Sequence, residues 1–269
     1  MTKKENSTYY SQVASYYDED ADLGFEDRAE VNTSLDRIRR DFRKITVQFP
    51  FTKVLEIGCG PGFDVHWFAS QYPDKEFVAV DISEEMVKLA RKRLNRDQLK
   101  NASVFQSDER QLTEQFGEAS FDLVYVYFGA LNTVEDLTFS ADQIHRLLRP
   151  GGVAVLTFVN KWYLRELVVQ VIKLNFKIAF ARLGKVWGGY SLSRYLPSHC
   201  YSPGRILKAF SQFKLLQRKG YSIVYPPWYN DHQVRKHPEK ANKKWELDQK
   251  LQKTFLWSKG EYTLFVFQK

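Results

Sequence analysis

The chain has 269 residues, of which 43% are hydrophobic and 15% aromatic, so it is long enough to bury a full hydrophobic core. Its formal net charge is +8, but residues 1–160 carry 19 basic and 26 acidic side chains, whereas residues 161–269 carry 21 and 6. The two cysteines, Cys59 and Cys200, exclude a disulfide framework, and nothing in the chain has the spacing of a metal site. The first residues lack the apolar core of a signal peptide, so we expect a cytoplasmic protein.

Residues 1–24 are polar and rich in tyrosine, and a helical pattern follows them. The segment SLDRIRRDFRKITVQF has apolar residues at helical spacing, and Ser34 stands where a helix N-cap would be. We expect this helix to lie over the sheet edge, beside the loop that comes next in the chain.

The segment VLEIGCGPG, residues 54–62, is an apolar run that ends in Glu56 and then in glycines at alternate positions. This pattern predicts a buried β-strand followed by a tight turn, because Gly58, Gly60 and Gly62 lack a Cβ and allow close backbone approach. A helical stretch follows, and a second apolar strand, EFVAV, ends in Asp81. Strand, glycine loop, helix, strand and acid form the pattern of a nucleotide-binding βαβ unit, in which the second acid binds ribose hydroxyls.

The spacing of the loop argues against a dinucleotide. A pyrophosphate site requires G-x-G-x-x-G, but here the third glycine comes one residue early and Phe63 occupies its place. Glu56 at the end of the strand would repel a pyrophosphate and attract a cation. The residues therefore favour a ligand that contains a ribose and a positive charge but no phosphate.

The rest of the chain continues the alternation of strands and helices. Strands are predicted near residues 53–58, 76–81, 102–107, 121–127 and 152–159, and helices near 63–72, 84–95 and 137–148, the third opening no earlier than Asp136. The segment 214–225 predicts a sixth strand, residues 238–255 a helical insertion and residues 262–269 a last strand. Such alternation implies a parallel sheet with right-handed crossovers.

Between the fifth and sixth strands lies a long segment with its own helical content. Apolar residues from Leu164 to Ala179 form a stripe, with Lys173, Lys177 and Arg182 elsewhere on the circumference. The charges recur too often for a bilayer span. Two interpretations stay open: a lid over the active site, or a basic amphipathic helix on an anionic membrane.

The motif EIGCGPG followed by VDIS resembles the class I S-adenosylmethionine-dependent methyltransferases, and later segments match in order. These segments are SVFQSDERQL with Asp108, FDLVYVYFGALN at 121–132 and LLRPGGVAVLTF at 147–158. The resemblance implies an α/β fold: a seven-stranded, mostly parallel, doubly wound sheet with an antiparallel last strand beside the fifth, plus a mainly helical cap insertion. The implied domains are 1–45 (N-terminal lid and helix), 46–160 (cofactor-binding core), 161–200 (cap) and 201–269 (the rest of the core).

The resemblance also implies a cofactor, S-adenosylmethionine, and roles for individual residues. The residues implied to bind the cofactor are Glu56 at its ammonium group, Gly58, Cys59, Gly60 and Gly62 in the loop, Asp81 at the ribose, Ile82 on the adenine face, Asp108 at the adenine amino group, Tyr127 near the methyl group and Tyr16 as an N-terminal lid residue. Asp108 and Glu109 have an alternative role as helix caps. Tyr127 has an alternative role as a core aromatic residue.

A general base is harder to identify. Among the five histidines, His199 at the return from the cap is the one placed to face the acceptor, but ordinary hydrogen bonding to the cap turn is the favoured interpretation, and the catalytic residue stays unassigned. We expect an oxygen, carbon or nitrogen atom of a small-molecule or lipid-like substrate as the acceptor. The basic second part of the chain keeps three further alternatives open: peripheral contact with an anionic membrane, RNA or other nucleic acid as substrate, and a solvated surface without a partner. A cofactor-binding, non-catalytic subunit is the alternative from another class.

Overall fold

The computed structural model describes residues 3–191 and 193–269, with side chains from Thr8 onwards. Its strands are β1 (Lys53–Ile57), β2 (Glu76–Asp81), β3 (Ala102–Gln106), β4 (Phe121–Val126), β5 (Leu148–Val159), β6 (Lys214–Tyr221) and β7 (Tyr262–Gln268). Its α-helices are α1 (Lys3–Asp22), α2 (Phe25–Glu30), α3 (Thr33–Thr46), α4 (Phe63–Gln71), α5 (Glu84–Arg96), α6 (Leu112–Phe116), α7 (Leu137–Leu147), α8 (Leu164–Ile172), α9 (Phe176–Ala181), α10 (Pro203–Ala209), α11 (Asp231–Lys236) and α12 (Pro238–Leu251).

The seven strands form one sheet in the order β3-β2-β1-β4-β5-β7-β6. The pairs among β1 to β5 are parallel, and β7 lies antiparallel between β5 and β6. This confirms the predicted doubly wound sheet and its antiparallel last strand. The carboxyl ends of β1, β2 and β4 therefore meet at one edge, where ligands bind in open α/β sheets.

Helices cover both faces of the sheet because its central strands are apolar on both sides. One face packs against α3, α4 and α5 through Phe42, Phe68 and Ala90, which are at most 1% exposed. The other packs against α7 and α10 through Ile144 and Ile206. The cofactor-binding edge is thus supported by a core on each side.

Several predicted boundaries need correction. The N-cap of α3 is Asn32, whose side chain accepts a hydrogen bond from the Leu35 backbone at 2.9 Å, whereas Ser34 lies inside the first turn and binds Asp231. The helix lies over β4 and β6 through Phe42, so it is not confined to the sheet edge beside the glycine loop. The helix predicted near residues 137–148 is α7, and it begins directly after Asp136, which caps it, as expected.

The remaining differences fall in the second half of the chain. Strand β6 ends at Tyr221 rather than at residue 225, because the next backbone N–H groups bind the carboxylate of Asp248 instead of a neighbouring strand. The stripe from Leu164 to Ala179 is two helices rather than one, since Leu174 has a φ of +58° between α8 and α9. Among the described helices, none has both the length and the apolar character required to cross a bilayer.

Candidate active site

The glycine loop between β1 and α4 is shaped by close packing against its neighbours. The backbone N–H groups of Gly58 and Cys59 both donate to the Val80 carbonyl, at 2.8 and 3.0 Å. A Cβ on Gly58, where φ is +73°, would lie 2.4 Å from the Cβ of Ala130. At this position the backbone approaches its neighbour so closely that only glycine fits.

The other two glycines of the loop differ from each other. A Cβ built on Gly62 would lie 2.8 Å from the Cβ of Ala90, so Gly62 lets α4 pack closely against α5. A Cβ on Gly60 would meet no atom within 4 Å, because Gly60 borders an open cavity of about 160 Å³. At Gly60 the loop therefore presents backbone without a side chain to this cavity.

Asp81, at the end of β2, lies in the same cavity and is 7% exposed. Its two carboxylate oxygens accept from the backbone N–H groups of Gly60 at 2.7 Å and Ser83 at 3.0 Å. Burial raises the pKa of Asp81, and the same two hydrogen bonds oppose that rise. Each oxygen retains a lone pair, so the carboxylate is fixed in place and can still accept from two hydroxyls. Ile82 lines the cavity beside it.

Two further acidic residues, Asp108 and Glu109, follow β3 and also line the cavity. Asp108 accepts hydrogen bonds from its neighbour Arg110, from the backbone N at 2.9 Å and from the guanidinium at 2.6 Å. Glu109 is 7% exposed and accepts a hydrogen bond from the hydroxyl of Tyr10. Burial raises the pKa of Glu109 to about 7, and the Tyr10 hydrogen bond opposes that rise.

Aromatic residues form the cavity wall at the end of β4. Tyr127 is 4% exposed, and its hydroxyl is 2.5 Å from that of Thr46 on α3. Phe128 has a φ of +51°, an uncommon conformation for a bulky side chain. Both residues line the cavity and both also pack on Phe42, so the predicted cavity role and the predicted core role of Tyr127 are not exclusive.

Three of the residues predicted to bind cofactor, one in β1 and two in the glycine loop, do not line the cavity. Glu56 is 3% exposed, accepts from the Tyr125 hydroxyl at 2.9 Å, and lies in the core on the α3 and α4 side of the sheet. Burial raises its pKa well above the ordinary value, with a further contribution from Asp64. Cys59 is buried, and Gly62 is occupied by its packing on α5. Their predicted contacts with cofactor stay predictions.

Helix α1 covers one side of the cavity, although the sequence predicted no secondary structure for residues 1–24. Tyr10, Val13 and Tyr17 of α1 line it together with Phe25 of α2. Tyr16, the predicted lid residue, lies outside and packs against the guanidinium of Arg194 at 4.3 Å. The structure therefore moves the lid role from Tyr16 to Tyr10 and Tyr17.

Helix α1 is tied down at several points besides the Tyr10–Glu109 hydrogen bond. Asp18 accepts from the Ser83 hydroxyl at 2.6 Å, next to Asp81. Asp20 pairs with Arg194, in the last part of the cap segment 161–200. The Tyr9 hydroxyl donates to the Pro197 carbonyl at 3.2 Å in the same segment. Closure of the cavity thus depends on contacts with α5 and with residues 194–197.

Neither His199, the candidate base, nor the described part of the cap segment 161–200, one interpretation of which was a lid, lines the cavity. His199 is half-buried, its Nδ1 is 2.8 Å from the Lys185 carbonyl, and its ring stacks on Tyr9, so it does not line the cavity. This is the favoured interpretation, hydrogen bonding to the cap turn. No residue of the described part of 161–200 lines the cavity, which corrects the lid interpretation of that segment. Among the described residues, no cluster of three or more His, Cys, Asp or Glu side chains has the geometry of a metal site.

The residues present fit S-adenosylmethionine on three observations. Gly60 leaves free space where any other residue would place a Cβ. Asp81 is held by two backbone donors with acceptor capacity left on each oxygen. Met86, Leu131 and Tyr127 add apolar and aromatic surface to the same cavity. A ribose, an adenine ring and an aliphatic chain match these surfaces.

This fold and this site resemble those of the class I S-adenosylmethionine-dependent methyltransferases. Residues 54–152 match the family model described as a methyltransferase domain. The matched segment begins in β1 and ends in β5, so it contains the glycine loop, Asp81 and Asp108.

Comparison with known proteins gives the same class. A demethylmenaquinone methyltransferase from Lactococcus lactis is 32% identical over 145 residues, which is 53% of this chain and 55% of that protein. The chain thus spans about half the length of this curated relative.

Solved structures show the fold. A methyltransferase from Mesorhizobium loti has a TM-score of 0.57 at 19% identity, over 86% of this chain and 96% of that one. A phosphoethanolamine N-methyltransferase from Haemonchus contortus, solved with S-adenosylhomocysteine, has a TM-score of 0.58 at 16% identity, over 86% and 52%.

Proposed function

We propose that the protein transfers a methyl group from S-adenosylmethionine to an oxygen, carbon or nitrogen atom of a small-molecule or lipid-like acceptor. The observation that carries the proposal is one cavity lined both by Gly60 and Asp81 and by a wide apolar wall. This wall consists of Val13, Phe25, Leu131 and Val134 together with Phe128. An apolar wall beside a cofactor site suits an acceptor with substantial apolar surface.

When bound, the cofactor supplies an electrophilic methyl group on a sulfonium, so the protein has little chemistry of its own to perform. Asp81 accepts hydrogen bonds from the ribose hydroxyls and fixes that end of the cofactor. Tyr10 and Tyr17 exclude water by covering the cavity. Exclusion of water and fixed orientation are the main ways in which a protein accelerates such a displacement.

Some acceptors lose a proton when they are methylated, and a residue that lines the cavity could accept it as a general base. His199 does not line the cavity, whereas Glu109 does, with a pKa near 7, and Tyr127 does too. An acceptor that ionises readily in solution, or an amine that enters unprotonated, needs no dedicated base. The name of the Lactococcus relative, demethylmenaquinone methyltransferase, supports an apolar ring-containing acceptor.

The test is transfer of radiolabelled methyl groups from S-adenosylmethionine into a cell extract that is then separated into lipid, small-molecule, RNA and protein fractions. Label in the lipid or small-molecule fraction supports the proposal. Label in RNA would instead favour the alternative that the basic second part of the chain binds nucleic acid. Absence of label in every fraction, with cofactor still bound, would favour a non-catalytic subunit.

Asp81→Ala is the matched control for this assay. Loss of the ribose hydrogen bonds should weaken cofactor binding by about 1–3 kcal/mol, or about 5- to 150-fold in Kd, when measured by calorimetry. Label should fall in proportion at low cofactor concentration. An unchanged Kd would contradict the assignment of Asp81 as the ribose-binding residue.

A further inference from the structure

Helices α8 and α9 form a two-helix unit, residues 164–181, that contributes no residue to the lining of the cavity. No residue of α8 is buried, and Ala179 is the buried residue of α9. Ile172 and Leu174, at the turn between the helices, are 75% and 73% exposed. The other exposed apolar residues of the unit and its approach are Trp162, Leu164, Val168, Val169, Val171, Phe176 and Phe180. Exposed apolar residues this dense mark an interaction surface.

The unit is held firmly at its base, so this exposure is a property of the fold. Arg182, which is 3% exposed, pairs with Glu166 at 2.6 Å. Its guanidinium also lies over the rings of Tyr163, Trp187 and Tyr190 at 5.0, 4.8 and 5.5 Å. These contacts fix one side of the unit on the protein and leave Ile172 and Leu174 on the opposite end.

The charges around the apolar turn are almost all positive. Residues 161–187 contain six basic side chains and one acidic side chain, Glu166, and that one is turned inward onto Arg182. Lys173 and Lys177 are exposed and stand directly beside Leu174 and Phe176. Lysine stems can lie on an apolar surface while their ammonium groups reach outward to anions.

We propose that the α8–α9 unit docks on an anionic lipid bilayer, with the turn at Ile172 and Leu174 entering the interfacial region and Lys173 and Lys177 contacting the lipid headgroups. An apolar turn flanked by two exposed lysines is the chemistry of an interfacial membrane anchor. The proposal does not depend on the proposed methyl transfer.

Two other occupants fit the surface less well. A second copy of the chain in a two-fold interface centred on the turn would bring the lysines of the two copies close together, which is repulsive. Single-stranded RNA is bound largely by stacking of its bases on aromatic rings, whereas the most exposed residues of the turn are the aliphatic Ile172 and Leu174. Lipid is the occupant that satisfies both the aliphatic turn and its positive rim.

The position of the unit gives the docking a consequence. The unit follows the carboxyl end of β5, the same edge of the sheet at which the cavity lies. The chain then continues to Arg194 and Pro197, which hold α1 through Asp20 and Tyr9. Docking would therefore place a membrane near the cavity edge and next to the contacts that hold the lid helix.

The experiment is flotation of the full chain with vesicles of equal parts phosphatidylcholine and phosphatidylglycerol, compared with phosphatidylcholine alone. The protein should float with the anionic vesicles at low salt. Binding should fall at least tenfold in about 1 M salt, where the Debye length is about 3 Å. Failure to float with anionic vesicles at low salt would overturn the proposal.

Variants locate the contact. Ile172→Glu with Leu174→Glu should reduce flotation at least tenfold, whereas Phe255→Glu, at a residue 79% exposed elsewhere on the surface, should leave it unchanged. These positions are exposed, so unchanged thermal unfolding is expected for every variant. If Phe255→Glu lowered flotation equally, the assignment to this unit would be wrong.

A second pair of variants tests the charges. Lys173→Gln with Lys177→Gln should weaken binding by roughly 25-fold, at about fivefold for each basic contact. The matched control, Lys240→Gln with Lys243→Gln, removes the same charge from exposed positions on α12 and should have a smaller effect. Equal effects would indicate a non-specific attraction by net charge and overturn the proposal. So would concentration-dependent self-association that Ile172→Glu with Leu174→Glu abolishes, because it would assign the turn to a second copy.

Discussion

The buried carboxyl of Glu109 should make the stability of the protein depend on pH. Its pKa rises from an ordinary value of 4.5 to about 7 on folding because burial disfavours the charged form. The folded state thus holds a proton that the unfolded state releases, so this contribution is fully present below pH 4.5 and is lost as the pH rises through 7. Glu109→Gln keeps an acceptor for the Tyr10 hydroxyl and removes the titration.

The magnitude follows from the two pKa values. Proton linkage at about 1.4 kcal/mol per pH unit gives a loss of about 2.5 kcal/mol in the free energy of unfolding between pH 5 and pH 8. The wild-type protein should lose this amount relative to Glu109→Gln over that range. Other titrating groups, including the buried Glu261, are present in both proteins and cancel in the difference.

The assay is urea denaturation of both proteins at several pH values, with the difference in free energy of unfolding plotted against pH. The exposed residue Glu114 supplies a control, since Glu114→Gln should give a difference that changes little with pH. Tyr10→Phe should retain the slope, because the carboxyl stays buried without its hydrogen bond. A flat difference for Glu109→Gln would refute the reasoning.

Two further predictions concern packing and backbone support. Gly58→Ala should destabilise the fold by about 2–4 kcal/mol in urea, because its Cβ would clash with Ala130 at a positive φ. Gly60→Ala should lower the free energy of unfolding by only about 1 kcal/mol, yet weaken the binding of S-adenosylmethionine at least tenfold in calorimetry, because the added Cβ would enter the cavity. Equal stability losses for Gly58→Ala and Gly60→Ala would contradict this contrast. Asp248→Asn should cost about 1–3 kcal/mol in urea, because an amide offers one acceptor oxygen to three backbone N–H groups, and wild-type stability would argue against that support.

The core of the site could be predicted because buried parallel strands are easy to locate in the sequence. Each apolar run ends where a ligand-facing residue begins, which places Gly60 and Asp81 at one edge, and the resemblance to class I methyltransferases adds Ile82 and Asp108. All four line the cavity. Glu56 sits at the same strand end but on the opposite face, which the run alone does not reveal because both faces are buried.

The N-terminal lid expected within residues 1–45 does contain residues that line the cavity, but Tyr16 is not one of them, although the sequence holds a signal for those that are. Tyr10, Val13 and Tyr17 recur at i, i+3 and i+7, the spacing of one helix face, whereas Tyr16 falls off that face. The charged residues around them hid this short stripe. Here periodicity carries more information than the number of tyrosines.

Long-range contacts decide the points that local patterns left open. His199 is oriented by the carbonyl of Lys185 and by the ring of Tyr9, two partners far apart in the sequence. The break at Leu174 interrupts an apolar spacing that continues on both sides, so the spacing alone predicted one helix. In both cases the deciding interaction depends on tertiary structure that local patterns do not contain.

The position of β7 has a consequence for how the protein is made. It lies between β5 and β6, but its residues, 262–268, leave the ribosome long after β5 is complete at residue 159. Throughout that interval one edge of β5 is unpaired, and β6 cannot join the sheet because β7, which lies between them, has not been made. Open strand edges invite pairing with other chains. A nascent chain that stalls between residues 159 and 262 is therefore an aggregation hazard, because the sheet is completed only when β7 has been made.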